Sequence, residues 1–337
     1  MPPSSPDGGR AAKRVDTRRS ASQTSLSAPP TSLVARALGR LGGMLLVMWG
    51  ATTAGFIALR AIPGDPVDVM LGVTASVGES VRQQIRVEWG LDEPPVVQYF
   101  TVLGRLVTGE LDSYQLRQPV MTVIADQAMP TLQLTGLALV FALGLATVGI
   151  LLARLPALRP MVSTFELALV SSPTFWIGLV LLAVFGYQLR WFPTAASAGL
   201  PALVLPALTL ALPLTGIVSQ VFRQGIGHAE SQPFALTARA RGISDVRLLS
   251  RHSLRHAAGE TLTLSGYLVG SLLGGAVLVE TVFARQGLGA VTVRAILGRD
   301  LPMVLALIAL AAAVFAVINL LVDLLVARID PRVRMAG

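Results

Sequence analysis

Two absences define the class of protein that this sequence can encode. There is no cysteine among its 337 residues, which excludes disulfides, thiolate metal sites and cysteine nucleophiles. Only 14% of the residues are charged, whereas a soluble domain typically carries about a quarter. Since 53% of the residues are hydrophobic, lipid must replace water as the solvent for much of the chain. We therefore expect an all-α polytopic membrane protein.

Lysine is also nearly absent, because Lys13 is the only one in the sequence. A phosphate-binding P-loop needs a lysine after its glycines to reach the β- and γ-phosphates. Lys13 stands in Ala-Ala-Lys-Arg, outside any such glycine pattern. We therefore expect no ATP hydrolysis by this chain. No catalytic, cofactor-binding or metal-binding residue is expected either, because the motifs of membrane-embedded metalloproteases and serine hydrolases are missing.

Charge-free windows of about the length of a membrane span occur six times. A helix that crosses about 30 Å of hydrocarbon at about 1.5 Å per residue needs roughly 20 apolar residues. The prolines after Leu200 predict that the fourth window contains a loop and then a kinked helix. The six predicted spans are Leu41–Leu59, Gln127–Ala153, Leu167–Leu189, Trp191–Phe222, Thr261–Val279 and Leu301–Val322.

The distribution of basic residues predicts that both termini lie in the cytoplasm. With that orientation, eighteen of the 27 Lys and Arg residues fall on the cytoplasmic side. The predicted organisation is a disordered basic tail (1–35), a first transmembrane helix (36–62), an extracytoplasmic cap (63–126), a transmembrane core (127–330) and a cytoplasmic C-terminal tail (331–337). Within the cap, helices are expected over Glu79–Trp89 and Val96–Leu106, and this segment could dock a solute-binding partner.

The most informative segment is 223–258, predicted to be a cytoplasmic loop between the fourth and fifth spans. It contains six Arg, all three His and only two acids. Small, helix-forming residues precede Gly242, which is placed to end a helix, and Ser244 can cap a second helix running to about His256. Basic charge alone is typical of cytoplasmic loops, so nucleic-acid binding is not expected, but charge does not require this helix–bend–helix pattern.

The loop resembles a known motif. Phe234-Ala-Leu-Thr-Ala-Arg-Ala-Arg-Gly-Ile-Ser244, followed by Leu248–His256, resembles the cytoplasmic loop of ABC importer permeases, most of all the B-type permease subunit of dipeptide/oligopeptide and related nickel systems. The resemblance extends from about residue 38 to 334. It includes Pro63-Gly-Asp-Pro66, Gly90-Leu-Asp92, Leu272–Phe283, Gly287-Leu-Gly289, Arg299-Asp-Leu-Pro302, Asn319–Leu325 and Asp330-Pro-Arg332. Glu260 and Gln286 stand where these families usually have proline.

The resemblance implies the type I importer permease fold and a coupling helix that seats in a groove of an ATPase subunit. The implied partners are a second homologous permease, two ATP-binding subunits and an extracytoplasmic solute-binding protein, all at the bacterial cytoplasmic membrane. Peptides are the implied substrates, and nickel or a metal chelate is the alternative. The implied coupling residues are Ala235, Thr237, Ala238, Arg239, Ala240, Arg241, Gly242, Ile243 and Ser244.

Ionisable residues within membrane spans are functional candidates. The acids inside or at the ends of the predicted spans are Glu166, Glu260, Glu280 and Asp323. Glu166 could pair with Arg159 on the inner side. Glu280, near Arg285 at the outer end of the fifth span, is a candidate for the translocation path or its gate.

Glycines recur at four-residue spacing in the fifth span, at Gly266, Gly270 and Gly274. This spacing places them on one helix face and allows another helix to approach closely. The partner could be the second permease or a helix of the same chain. A stand-alone secondary transporter is the rival class of function. It would favour inverted halves with paired broken helices, or rings of ionisable residues, and neither pattern is found.

Overall fold

A computed structural model describes residues 33–71, 78–194, 199–233, 240–241 and 264–329. These residues are mostly helical, as expected. The chain divides into two units, residues 1–42 and 43–337, and all contacts described below lie within the second unit. The predicted tails lie outside the described residues, except that the first helix begins within the predicted N-terminal tail, at residue 33.

Helices account for most of the described chain, and a π-helical segment (Leu182–Gln188) directly follows one of them. In chain order the helices are α1 (Leu33–Ala61), α2 (Pro66–Leu71), α3 (Glu79–Glu88), α4 (Pro95–Thr108), α5 (Val120–Leu152), α6 (Arg159–Ser171), α7 (Thr174–Leu181), α8 (Pro201–Ser231), α9 (Ser265–Val282), α10 (Leu288–Leu297) and α11 (Leu301–Ile329).

Four of these helices are long and apolar enough to cross a membrane, namely α1, α5, α8 and α11. The window within α11 is Leu301–Val322, identical to the predicted sixth span. α8 begins at Pro201, as predicted from the prolines, but it continues to Ser231, so the first nine residues of the predicted 223–258 loop are helical. α5 begins at Val120 rather than Gln127, so about two helical turns that were predicted to belong to the cap belong to α5.

The third predicted span, Leu167–Leu189, is not one continuous helix in the structure. The chain bends by 107° between α6 and the helix formed by α7 and the π segment. Pro173 explains the corner, because proline disfavours the α conformation of the residue before it. Ser172 accordingly adopts an extended backbone with φ −88° and ψ 133°.

The fifth predicted span, Thr261–Val279, is only partly represented among the described residues. Its counterpart is α9, in which the fully described residues Gly270–Val282 form an apolar segment shorter than a membrane-spanning helix. The described residues therefore contain four membrane-length helices, or five if the bent pair counts as one span, rather than six.

α8 is the central helix of the larger core. About 72% of its membrane-length window is buried, compared with 22% for α5. Its side chains Leu205, Ala207 and Leu210 pack in one apolar cluster with Leu134 of α5 and Val279 of α9. An apolar helix with most of its surface covered belongs in the middle of a bundle, and here α5, α6, α7 and α9 all contact it.

A second apolar cluster joins the cap to the ends of the long helices. The two helices predicted in the cap are present as α3 and α4. Val102 of α4 and Leu111 pack with Val120 of α5 and Val304 of α11. Gly109 ends α4 with φ +77°, a left-handed conformation that glycine adopts without a steric penalty.

The backbones of α6 and α8 approach each other closely at Gly216. A Cβ atom at this position would lie 2.9 Å from the Glu166 carbonyl oxygen and 2.6 Å from Val170 Cγ2. A backbone oxygen cannot move aside as easily as a side-chain end can, so glycine is required for this crossing. Gly144 of α5 differs, because a Cβ there would meet no atom within 4 Å.

Gly216→Ala is therefore expected to lower the free energy of unfolding by about 1–3 kcal/mol, the usual cost of overpacking. Gly144→Ala is the matched control, and alanine is expected to leave stability unchanged or raise it by up to about 1 kcal/mol through helix propensity. Thermal unfolding of both variants in detergent measures the difference. Equal melting temperatures for the two variants would contradict this view of the α6–α8 crossing.

Candidate functional site

The C-terminal half of α8 contributes to a buried polar cluster, which we call the Glu166 junction. The carboxylate of Glu166, on α6 and only 3% exposed, accepts hydrogen bonds from Ser219 Oγ and from the Arg223 guanidinium. Arg223 also donates to Ser163 Oγ at 3.1 Å. Removing one member of a buried ion pair leaves an uncompensated charge, so α6 and α8 are tied together by groups that depend on each other.

The predicted pairing of Glu166 with Arg159 is wrong, because the partner is Arg223. Arg159 lies seven residues before Glu166 on the same helix, about 10 Å along its axis, whereas helical neighbours are three or four residues apart. Arg223 comes from a crossing helix. The sequence signals that an acid in a span needs a partner, but it does not indicate which helix supplies it.

A second buried cluster, the Glu280 junction, lies where α9 ends and α10 begins. Glu280 is 1% exposed and accepts hydrogen bonds from Thr131 Oγ1 of α5 at 2.6 Å and from the Ala290 backbone N–H at 3.0 Å. Thr131 Oγ1 in turn accepts the Leu288 N–H at 2.8 Å. Together, these groups satisfy backbone donors in the first turn of α10, which have no partners within the helix.

The Gly287-Leu-Gly289 motif is what allows the Glu280 junction to form. A Cβ at Gly287 would lie 2.3 Å from the carboxyl carbon of Glu280, and one at Gly289 would lie 2.5 Å from Cα of Val277. The turn therefore folds directly over the carboxylate and the backbone of α9. The structure places Glu280 within contacts of its own chain, and its predicted role in the translocation path stays a prediction.

Arg285 donates a hydrogen bond to the backbone at the start of α8. Proline has no N–H, so Pro206 leaves the carbonyl of Ala202, four residues earlier, without its usual partner. Arg285 Nη1 donates to that carbonyl oxygen at 3.2 Å. An unpaired carbonyl within a membrane protein costs several kcal/mol, and an arginine from the α9–α10 connection removes that cost.

Asp300, in the Arg299-Asp-Leu-Pro302 motif, anchors the loop after α4 to the start of α11. Asp300 is 1% exposed and accepts hydrogen bonds from Ser113 Oγ, from the N–H groups of Tyr114 and Gln115 at 3.2 Å each, and from the Met303 N–H at 3.2 Å. It therefore caps the N-terminus of α11 and also fixes the loop after α4. An acid at the position before Leu301 is the sequence signal for this N-cap.

A pocket of about 510 Å³, the cap pocket, opens between α3, α4 and the 110–117 loop. Trp89 stacks on Tyr114 at its wall, with ring centroids 4.3 Å apart. Burial, with the nearby Asp300 carboxylate, raises the pKa of Tyr114 to about 12, so the phenol stays neutral. Five exposed charged side chains line the pocket without a hydrogen bond or ion pair to any described residue: Glu88, Glu93, Arg105, Asp112 and Arg117.

The predicted coupling residues are described only at Ala240 and Arg241, which are both exposed. The others, Ala235, Thr237, Ala238, Arg239, Gly242, Ile243 and Ser244, lie outside the described residues, as does Glu260.

Two of the three glycines on the predicted face of α9, Gly270 and Gly274, have little contact with the described residues. Gly270 meets one carbon of Phe315 at 3.8 Å, and Gly274 has no neighbour within 4 Å. The close approach within the chain is instead at Gly275, where a Cβ would lie 2.6 Å from Leu210 of α8.

Two named relatives align with most of this chain. A Brucella abortus (strain 2308) protein, whose name assigns it provisionally to a peptide transport system as a permease, is 36% identical over 90% of this chain and 99% of its own length. The glutathione transport system permease protein GsiC of Escherichia coli (strain K12) is 35% identical over 88% of this chain and 97% of its own. An amino acid ABC transporter of known structure is 17% identical, with a TM-score of 0.49 over 62% of this chain, and supports no further argument.

The family profile described as binding-protein-dependent transport system inner membrane component matches residues 145–335, which is more than half of the chain. This segment contains the Glu166 junction, Glu280 with the start of α10, and the predicted coupling loop, whereas Thr131 of the Glu280 junction precedes it. The chain therefore belongs to the family of inner membrane components of binding-protein-dependent transport systems, as a permease subunit of an ABC importer whose ATP hydrolysis resides in separate subunits.

Proposed function

We propose that this chain is one of two homologous permeases in an ATP-driven importer of di- and oligopeptides. The observation that carries the proposal is the identity of 36% over 90% of the chain with a relative named for peptide transport. The second relative is named for glutathione, which is itself a small peptide. Neither name supports the alternative of nickel or metal-chelate import.

The proposed topology has six spans with both termini in the cytoplasm, and 63–126 forms an extracytoplasmic cap. The bent pair of α6 and α7 serves as the third span and α9 as the fifth. The basic residues remain the support for this orientation. The C-terminal end of α8 then enters the cytoplasm, so the 233–256 segment that follows it meets the ATPase subunits.

In the proposed mechanism, ATP binding closes the two ATPases and moves the 233–256 segment as a rigid lever. α8 extends from the apolar core to Ser231 without a break, so it carries that movement into the core. The Glu166 junction ties α8 to α6, whose far end makes the Pro173 corner. Movement of α8 would therefore be passed to the bent third span.

We propose that the Glu280 junction and Arg285 keep the outer ends of α5, α8, α9 and α10 in register while access switches. This is a narrower role than direct contact with substrate. It is supported by the deep burial of Glu280 and by the bond from Arg285 to the Ala202 carbonyl. The open face at Gly270 and Gly274, with Gly266 in the same register, would contact the second permease.

The cap pocket is the proposed docking point for the solute-binding protein. Five unpaired charged side chains of both signs line it, with Glu88, Glu93 and Asp112 negative and Arg105 and Arg117 positive. Charges on the rim of an interface mainly steer association and select the partner rather than add affinity. A protein surface with complementary charges of both signs would satisfy all five side chains.

Gly242→Trp should abolish transport coupling, because a bulky side chain at the proposed bend would keep the lever from its groove. We expect uptake and binding-protein-stimulated ATPase activity to fall at least tenfold in the reconstituted complex. His228→Trp introduces the same side chain at an exposed position of α8 near the same end of the helix and should leave both activities nearly unchanged. Full coupled transport by Gly242→Trp would refute the lever assignment.

Arg223→Gln should destabilise the chain by about 3 kcal/mol, because Glu166 would then be a buried carboxylate without its cation. The double variant Glu166→Gln/Arg223→Gln should be more stable than Arg223→Gln alone, because no unpaired charge remains. Thermal unfolding of the two variants measures this difference. If the double variant unfolds at a lower temperature than Arg223→Gln, the Glu166 junction is not an ion pair that holds α6 to α8.

Glu88→Lys should raise the concentration of solute-binding protein needed for half-maximal ATPase stimulation severalfold, since it changes the charge pattern of the cap pocket. Glu110→Lys makes the same charge change on the exposed surface of the cap, outside the pocket, and serves as the control. The effect of Glu88→Lys should shrink as salt is added, because salt screens exposed charges. Identical concentration dependence for both variants would place the docking point elsewhere.

A further inference from the structure

A pocket of about 640 Å³ lies where α5 ends, α6 begins and α8 leaves the core. We call it the basic pocket. Its charged lining consists of three arginines and one acid, Arg154, Arg159, Arg223 and Glu230. The proposed function does not use this pocket, since the lever acts through α8 itself and through the groove of an ATPase subunit.

The charges of the basic pocket do not cancel. Arg223 is balanced by Glu166 behind it, and Arg154 pairs with Glu230 at 3.2 Å. Arg159 is exposed and forms no hydrogen bond or ion pair with any described side chain. One positive charge therefore remains, and it lies in a concave site rather than on an open surface.

The neutral lining suits an oxyanion. Gln220, Gln224 and Ser163 also line the pocket, and their side chains carry amide N–H and hydroxyl donors. Amide N–H groups and a guanidinium are the donors that commonly bind phosphate oxygens. Together with the single excess charge, these donors match a group that carries one negative charge and several acceptor oxygens.

The position of the pocket indicates where that anion comes from. α5 is a membrane-length helix that ends at Leu152, and the pocket lies at this end. Exposed apolar side chains flank it along the chain, with Leu151 and Leu155 on one side and Met161 and Phe165 on the other. A phosphate held at Arg159 would thus be at the depth of lipid headgroups, beside apolar surface that acyl chains can cover.

We propose that the basic pocket binds the headgroup of a singly charged anionic phospholipid, with Arg159 as the residue that contacts its phosphate. Because Arg223 belongs to both the pocket and the Glu166 junction, the lipid would brace the junction between α6 and α8 from the membrane side. The site depends on the pocket geometry alone and would exist even if the transported substrate were not a peptide.

The test measures lipid retained by the full chain after purification with its partner subunits in mild detergent. The preparation is incubated with phosphatidylglycerol or phosphatidylcholine, and bound lipid per protein is quantified by mass spectrometry. We expect retention of phosphatidylglycerol over phosphatidylcholine, a loss of about fivefold in Arg159→Gln, and retention preserved in Arg159→Lys. Arg190→Gln removes an exposed charge outside the pocket and should behave like the native chain.

Three results would overturn the proposal. Equal retention by Arg159→Gln and Arg190→Gln would show that the pocket does not hold the lipid. Displacement of phosphatidylglycerol by millimolar inorganic phosphate would show a free-phosphate site instead. A cross-link from position 159 to an ATPase subunit in the assembled complex, without bound lipid, would identify that subunit as the occupant.

Discussion

A helix that is buried inside a membrane protein needs hydrogen-bond partners for its polar groups from within the protein, and other parts of the chain supply such partners near both ends of α8. Near its start, Pro206 leaves the Ala202 carbonyl without a partner, and Arg285 donates to it. Near its end, Arg223 and Ser219 are matched by Glu166. Glu166 lies on another helix, α6, and Arg285 lies in the connection between α9 and α10. The central helix is therefore held in place by long-range polar contacts as well as by its apolar packing.

These polar contacts determine which segments of the permease should move together. Interdigitated apolar side chains already resist sliding, and a buried ion pair and a hydrogen-bonded carbonyl add contacts that cannot change partners easily. The segment from Ser163 to the Pro173 corner should thus move with α8. The Glu280 junction similarly joins α5, α9 and the first turn of α10. α8 is thus held by two polar contacts, the bond from Arg285 to the Ala202 carbonyl and the Glu166 junction. Contacts of this kind suit a helix that switches between discrete arrangements.

Hydropathy and the positions of proline and glycine predicted much of this fold. The sixth span, the start of α8 and both cap helices followed from apolar length, proline and glycine, because these signals act locally. The Pro173 corner was missed because the apolar residues continue through it. Hydropathy indicates that a segment can lie in lipid, but it does not indicate where the helix axis bends. The partner of Glu166 was missed for a different reason: it depends on which helices cross, and the Gly216 crossing is a tertiary contact. The roles of Asp300 and Arg285 depended on the same kind of information.

The corner at Ser172–Pro173 also has a consequence for how the protein is made. α6 has 13 residues, too few to span the hydrocarbon alone, and it turns through 107° into the helix that follows. The residues that hold it, Gly216, Ser219 and Arg223, emerge from the ribosome some 50 residues later. Until they do, Glu166 has no counter-ion, so the nascent chain cannot settle this region in the order in which it is synthesised. The tertiary contacts that hold α6 can therefore form only after α8 has been synthesised.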